Sequence, residues 1–268
     1  MIPPDAPPAS VEGSEPAAER LDNVPRALFA PSVSARQKYQ ALVVGRPGWG
    51  ALLRYELITS LVGRCPGALG LWLRARLYPR LLGSCGRNVV FGSDVRLRHP
   101  HKIHIGDDVV IDDGVVLDAK GTANRGIRIG RRVFIGRGTS LNTKDGDIEI
   151  EDGVNIGTLC TIFSASRVRV GRDTLIAAYA YLVGGGHAFD RTDVPTSEQA
   201  RPSLGIDIGP DGWIGAGVVV LDGTRIGRGV VIGANAVVRE SLPDYTVAAG
   251  VPATVKRHRT AGDRGNGA

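Results

Sequence analysis

From about residue 86 the chain keeps a six-residue beat, and few folds accept one. In 208–243, Ile208, Ile214, Val220, Ile226, Ile232 and Val238 fall six apart without a break, and Gly209, Gly215, Gly227 and Gly233 follow four of them. Four residues after each aliphatic comes a small or β-branched residue: Gly212, Val218, Thr224, Val230 and Ala236. The beat recurs at Ile105, Ile111 and Leu117, at Ile129, Ile135 and Leu141, at Ile150, Ile156 and Ile162, and at Val170, Ile176 and Leu182. It slips between these groups, and the slips mark loops or bulges. Such a period matches neither the turn of a helix nor the alternation of a strand. It fits a short strand plus a turn: each unit lays down one flat face, drives its aliphatic residue inward and turns the corner at a small residue. Units of this kind stack coil on coil at the strand spacing, with Ile and Val as the core. A β-sandwich would show alternation and hairpin turns such as Asn-Gly, which are not evident here. Composition agrees, since aromatics are 5% and Gly is 37 of 268 residues, an aromatic-poor core with frequent tight turns.

With these repeats, residues 86–257 resemble the hexapeptide-repeat acyltransferases. The resemblance implies an all-β fold, a left-handed parallel β-helix, usually assembled as a homotrimer. A sharper likeness lies in VRVGRDTLIAAYAYLVGGGHAFD (168–190), which is similar to the catalytic coil of the maltose, galactoside and xenobiotic acetyltransferase branch. There a coil ends in a loop with one His, then an apolar residue, then Asp. The run 208–238, with Trp213, resembles the coils that follow, and AAGVPATVKRHR (248–259) resembles the usual close of the domain.

On this resemblance His187 is the catalytic base. Acyl transfer from a thioester needs a group to take the proton of the attacking hydroxyl or amine, and an imidazole suits that task near neutral pH. Gly184, Gly185 and Gly186 before it permit close approach of ligand to backbone. Asp190 orients the loop or is solvated, and Phe189 and Asn155 are candidates for acceptor contact. In phase, Gly157 falls where sugar-acetylating relatives often carry Asn, and Asn155 is out of phase by two, which leaves the acceptor open. Acetyl-CoA or another acyl-CoA is the implied co-substrate. The resemblance places Trp213 beside the donor, backbone amides of Gly215, Ala216, Gly217 and Ala234 on its pantetheine arm, and Lys256 and Arg257 on its phosphates. The insertion over 184–207 interrupts the repeat, and the resemblance makes it an arm over a neighbouring subunit.

The N-terminal third differs. Residues 1–45 read as a mobile tail, acidic at its start, with Asp5, Glu12, Glu15, Glu19 and Asp22 against Arg20 and Arg26. Residues 46–84 read as a basic amphipathic helical segment, 50–63 then 67–82, split at Cys65-Pro66-Gly67, the second kinked or ended at Pro79. Seven arginines from Arg46 to Arg87 face only Glu56, which equals the whole chain's net charge of +6. In the second stretch Leu69, Trp72, Leu73, Leu77 and Leu81 recur at helical spacing, with Arg74, Arg76 and Arg80 on the flanks. Two readings stay open: these helices cap the first coil, or they lie on an anionic membrane. Residues 85–255 form the β-helix and 256–268 a basic tail. Without a signal peptide or an apolar run long enough to span, the expectation is a cytoplasmic protein, peripheral at the inner face of the membrane, with a small-molecule or glycan acceptor and no nucleic-acid partner.

Cys65, Cys85 and Cys160 form neither a disulfide framework nor a metal set, and read as buried or idle thiols. His99, His101 and His104 lack nearby carboxylates and read as a solvated edge, so no metal is expected. The leading function is an acyltransferase acting on a hydroxyl, with an N-acyltransferase or a non-catalytic scaffold as alternatives. A zinc carbonic anhydrase on this fold would need three His from facing coils, and a sugar nucleotidyltransferase would need a nucleotide domain.

Overall fold

The computed structural model describes residues 33–260; most of the expected tail, residues 1–32, lies outside them. Three sheets of seven, nine and seven strands, parallel but for the last strand of the second, wrap into a β-helix. The first sheet stacks Ser84–Cys85, Ile103–Ile105, Ile127–Ile129, Asp147–Ile150, Arg167–Val170, Ile206–Ile208 and Arg225–Ile226. The second runs from Val90–Phe91 through Asn155–Ile156, Leu175–Ile176 and Trp213–Ile214 to Thr246–Ala249, and the third from Arg96–Arg98 through Thr161–Ser164 and Tyr181–Gly184 to Val237–Val238. Each coil visits the three sheets in turn.

The six-residue beat is the core. Ile105, Ile129, Ile150, Val170, Ile208 and Ile226 share one register row of the first sheet. Ile111, Ile135, Ile156, Ile176, Ile214 and Ile232 do so in the second. Leu117, Leu141, Ile162, Leu182, Val220 and Val238 form the third row. All are buried, each worth about 1.5–3 kcal/mol against exposure. The corner differs from expectation by one residue. Gly212, Val218, Thr224, Val230 and Ala236 point into the prism. The chain turns one position earlier, at Asp211, Gly217, Gly223, Gly229 and Asn235, where φ is 59–80°, a region that Gly, Asn and Asp enter at least cost.

Among the described residues three helices stand before the first coil: α1 (Ala35–Tyr39), continued by a π-helical turn over Gln40–Val44, α2 (Trp49–Val62) and α3 (Gly67–Leu77). The helical segment therefore begins earlier than expected. Ser34 and Gln37 form a capping box on α1, and Val44 is buried against the β-helix. The helices do cap the first coil. Tyr55 Oη donates to Leu97 O at 2.8 Å, Tyr78 Oη to Val95 O at 3.3 Å, and Asp94 N to Gly63 O at 2.7 Å. Arg74, expected on an exposed flank, is buried; Nε donates to Phe91 O, and Nη1 to Val62 O and Cys65 O. Carbonyls at the coil edge and the end of α2 need donors, and the guanidinium supplies three.

The histidine cluster is not a solvated edge. His99 is buried under the π-helical turn, its N donating to Val43 O and its Nε2 meeting Ala41 O at 2.8 Å. At the other end, Lys256 and Arg257 lie not in a tail but in Thr254–His258, a strand paired antiparallel with Thr246–Ala249. No helix among the described residues is long and apolar enough to cross a membrane.

Candidate active site

His187 leaves the third sheet just after Tyr181–Gly184, at the corner that returns to the first sheet. Its three glycines divide the work. Gly184 and Gly185 are buried; a Cβ on Gly184 would come 2.6 Å from Val168 Cγ2, and one on Gly185, at φ +149°, 2.8 Å from Ala165 Cβ. They serve packing, with the Phe163 ring beneath Gly185. Only Gly186 is open, with nothing within 4 Å of a built Cβ. Ligand approach, expected of all three, is sterically open at Gly186 alone.

His187, Phe189 and Asp190 are exposed, Phe189 at 76%. No hydrogen bond or ion pair joins His187 to Asp190 among the described residues. The insertion that follows is closed on itself. Ala188 N donates to Ala200 O, and Gly186 N to Pro202 O. Gln199 Nε2 donates to Arg191 O, and its Oε1 accepts from Arg191 N. Its far end is pinned by two residues that sequence reasoning missed. Asp222 accepts from Leu204 N at 2.7 Å and Gly205 N at 2.8 Å, and Ser203 Oγ lies within hydrogen-bond distance of Ser166 Oγ at 2.8 Å and Gly184 O at 3.2 Å. An Asp one coil on, beside a break in the period, was the available signal.

The other named residues gather elsewhere. Asn155, Leu175, Trp213, Val231, Val247 and Arg257 occupy one outward row of the second sheet. Strands about 4.8 Å apart put Arg257 roughly 14 Å along that row from Trp213. Trp213 is 55% exposed, while Ile214 beside it points inward. Lys256 is the extra residue of a bulge next to Arg257, its Nζ donating to Thr254 Oγ1. Gly215, Ala216 and Gly217 turn the corner from the second sheet to the third, and Ala234 lies on the same corner one coil on. The Gly215 and Gly217 amides donate to Ile232 O and Ala178 O within the ladder, so they are not open to a ligand. Ala216 and Ala234 are exposed. Leu159 and Tyr179 stand exposed on that corner two coils and one coil earlier, a patch that the sequence did not flag.

The chain therefore holds two separate groups of residues. His187, Phe189 and Asp190 stand at the corner between the third and first sheets, and Trp213 and Arg257 on the outer side of the second. Asn155 joins the second group and not His187. Two of the thiols are poor nucleophiles: burial pushes Cys85 up to about 11, and buried Cys160 is also raised, its Sγ donating to Ala177 O. No group of three or more metal-ligating side chains that could hold an ion occurs among the described residues.

Two family models match: the bacterial transferase hexapeptide (six repeats) over residues 205–240, and the hexapeptide repeat of succinyl-transferase over 84–119. A Mycobacterium tuberculosis protein named as an acetyltransferase is 36% identical over 164 residues, 61% of this chain and 54% of that protein. The chain thus spans about half the length of that relative. The Escherichia coli protein WcaF, named as a colanic acid biosynthesis acetyltransferase, is 31% identical over 134 residues, 50% of this chain and 70% of WcaF. Among solved structures, the polySia-specific acetyltransferase NeuO shares the fold, with a TM-score of 0.55 and 22% identity over 68% of this chain and 85% of NeuO, a likeness of architecture alone. With its repeats stacked as a parallel β-helix and a relative covered over more than two thirds of its length, this chain belongs to the hexapeptide-repeat acyltransferase family.

Proposed function

We propose that the protein transfers an acyl group, most simply acetyl, from coenzyme A to a hydroxyl of a sugar or glycan, with His187 as general base. The observation that carries this reading is the placement of His187: an exposed imidazole on an open glycine, at the mouth of a loop pinned by Asp222 and Ser203. The imidazole takes the proton of the acceptor hydroxyl as its oxygen attacks the thioester carbonyl. The carbon–sulfur bond then breaks, the imidazolium returns the proton to the departing thiolate, and the acyl oxygen ester remains. Phe189 walls the acceptor and Asp190 orients the loop. A glycan acceptor agrees with the colanic acid role in the name of WcaF.

The donor belongs on the second sheet. Trp213 supplies an apolar face, Ala216 and Ala234 leave room for the pantetheine arm, and Lys256 and Arg257 suit its phosphates. Because these residues and His187 stand apart in one subunit, the site is complete only between two, which favours a homotrimer. In it the 184–207 insertion reaches over the neighbour, and Asn155 approaches that neighbour's acceptor. The basic helical cap favours work at the inner face of an anionic membrane, where lipid-linked glycans are built.

The test is acetyl-CoA consumption with a polysaccharide acceptor pool, the product read by mass spectrometry. His187→Ala should cost on the order of 10²–10⁴-fold in turnover. Full activity in that variant would sink the base assignment, and a stable monomer by mass photometry under turnover conditions would remove the shared site.

A further inference from the structure

The face of the cap that is free to meet a membrane is not the one the sequence pattern suggests. On α3, the Leu81 that follows it and Arg74 are buried, and Leu73 and Leu77 pack against the core. The open apolar surface is on α2. Trp49, Leu53, Leu57 and Leu61 repeat every four residues and are each 61–63% exposed. On the opposite side of the same helix, Leu52, Tyr55, Ile58 and Val62 are buried against the first coil. A helix apolar on both sides needs cover on both, and the β-helix covers one. Leu69 and Trp72 on α3 add to the exposed surface. Contiguous apolar area of this kind marks a contact surface.

Charge identifies the occupant. Between residues 33 and 84 there are eight basic side chains, Arg36, Lys38, Arg46, Arg54, Arg64, Arg74, Arg76 and Arg80, against the single acid Glu56. Glu56 is engaged by the Tyr39 hydroxyl at 2.5 Å. The arginines edge the apolar stripe. Arg36 stacks over Trp49 at 4.5 Å and Arg76 over Trp72 at 5.8 Å. Arg54 donates to the Arg80 carbonyl, and Arg80 to the Arg76 carbonyl. Arg46, Arg54 and Arg80 also border a recess of about 160 Å³. A second copy of this cap would bring the same positive charge face to face with the first, whereas an anionic lipid surface complements it.

We infer that α2 docks in the plane of an anionic bilayer, with Trp49, Leu53, Leu57 and Leu61 in the headgroup–acyl boundary and Arg54, Arg76 and Arg80 on lipid phosphates. This rests on the reading of a peripheral, membrane-apposed acyltransferase and assigns the surface that makes it so. Tryptophan and leucine facing the acyl chains beside arginine is the composition of interfacial helices, and each basic residue near such a surface adds to the attraction.

The experiment is co-sedimentation of the full chain with phosphatidylcholine vesicles and with vesicles containing phosphatidylglycerol. Binding is expected only with phosphatidylglycerol, weakening as salt rises. Leu53→Asp combined with Leu57→Asp should lower it at least tenfold, with unchanged acetyl-CoA turnover on a soluble acceptor. In a Trp213→Phe chain, used for fluorescence alone, acyl-brominated lipid should quench the remaining emission, which checks the surface without a cap variant. The inference is overturned if the full chain ignores anionic vesicles at low salt, or if emission stays unquenched in bound protein. It is also overturned if the stripe variants abolish self-association instead, or if binding appears only once residues 1–32 are removed. Vesicle binding without acetyl transfer would refute the enzymatic reading and leave the docking surface standing.

Discussion

Replacing Arg74 with Met should loosen the helical cap by about 2–4 kcal/mol. The guanidinium donates to Phe91 O at 2.9 Å, Val62 O at 3.1 Å and Cys65 O at 2.7 Å, so one side chain ties the end of α2 and the chain beyond it to the first coil. A hydrogen bond to a charged group is worth roughly 1.5–3 kcal/mol, and three would give about 4.5–9. The cost of burying a guanidinium, several kcal/mol, offsets much of that. Met restores the apolar stem but removes all three guanidinium donors, Val62 O keeping the Cys65 amide at 3.3 Å, and the remainder falls in the stated range. Hydrogen exchange reads it directly. Amides of 49–77 should exchange roughly 30- to 700-fold faster at a tenfold change per 1.4 kcal/mol, while those around Ile148, Ile156 and Ile162 keep their protection. Arg74→Lys should recover little, because a point charge cannot reach three carbonyls in one plane. Exchange within threefold of the parent chain, or full recovery with Lys, would refute the reasoning.

Gly184→Ala should lower stability by about 1–3 kcal/mol, since its Cβ meets Val168 Cγ2 at 2.6 Å. Gly186→Ala, with open space around it, should leave the melting temperature unchanged and alter only kcat/KM; equal melting losses in both would contradict the division of labour among the glycines. His101 is pushed down to about 4, chiefly by burial and then by Arg46, His99 and Lys102, and its Nδ1 has no hydrogen-bond partner among the described residues. The unfolded chain therefore takes up the proton first as pH falls, so this stability is whole above the ordinary imidazole value and is lost between about pH 6.5 and 4. Thermal melts should decline more steeply over that window than those of His101→Gln, and parallel curves would remove His101 from the account.

The repeat was legible in the sequence because its contacts are written locally. Residues six apart land on successive sheets and residues one coil apart land in one row, so Ile208, Ile214 and Val220 declared their inward faces without knowledge of anything distant. The break in the beat after Gly184 announced His187 in the same way. The corner was misplaced by one residue because Gly212 and Val218 are small for the inside of the prism, while the turn falls to the residue before each, where φ is positive. What the tertiary structure alone decided concerns docking between segments with no shared period. Helical spacing set Arg74 on a flank; only the approach of α2 and α3 to the first coil brings three carbonyls around it. His99 is polar and near the start of the repeat, yet the turn over Gln40–Val44 closes over it. Trp213 and His187 are 26 residues apart in a chain whose local pattern names an inner or an outer side for each. Which side of the prism each outer residue occupies follows from the strand each belongs to, and the insertion between them resets that count. Their separation onto different faces, and with it the case for a site shared between subunits, exists only in three dimensions.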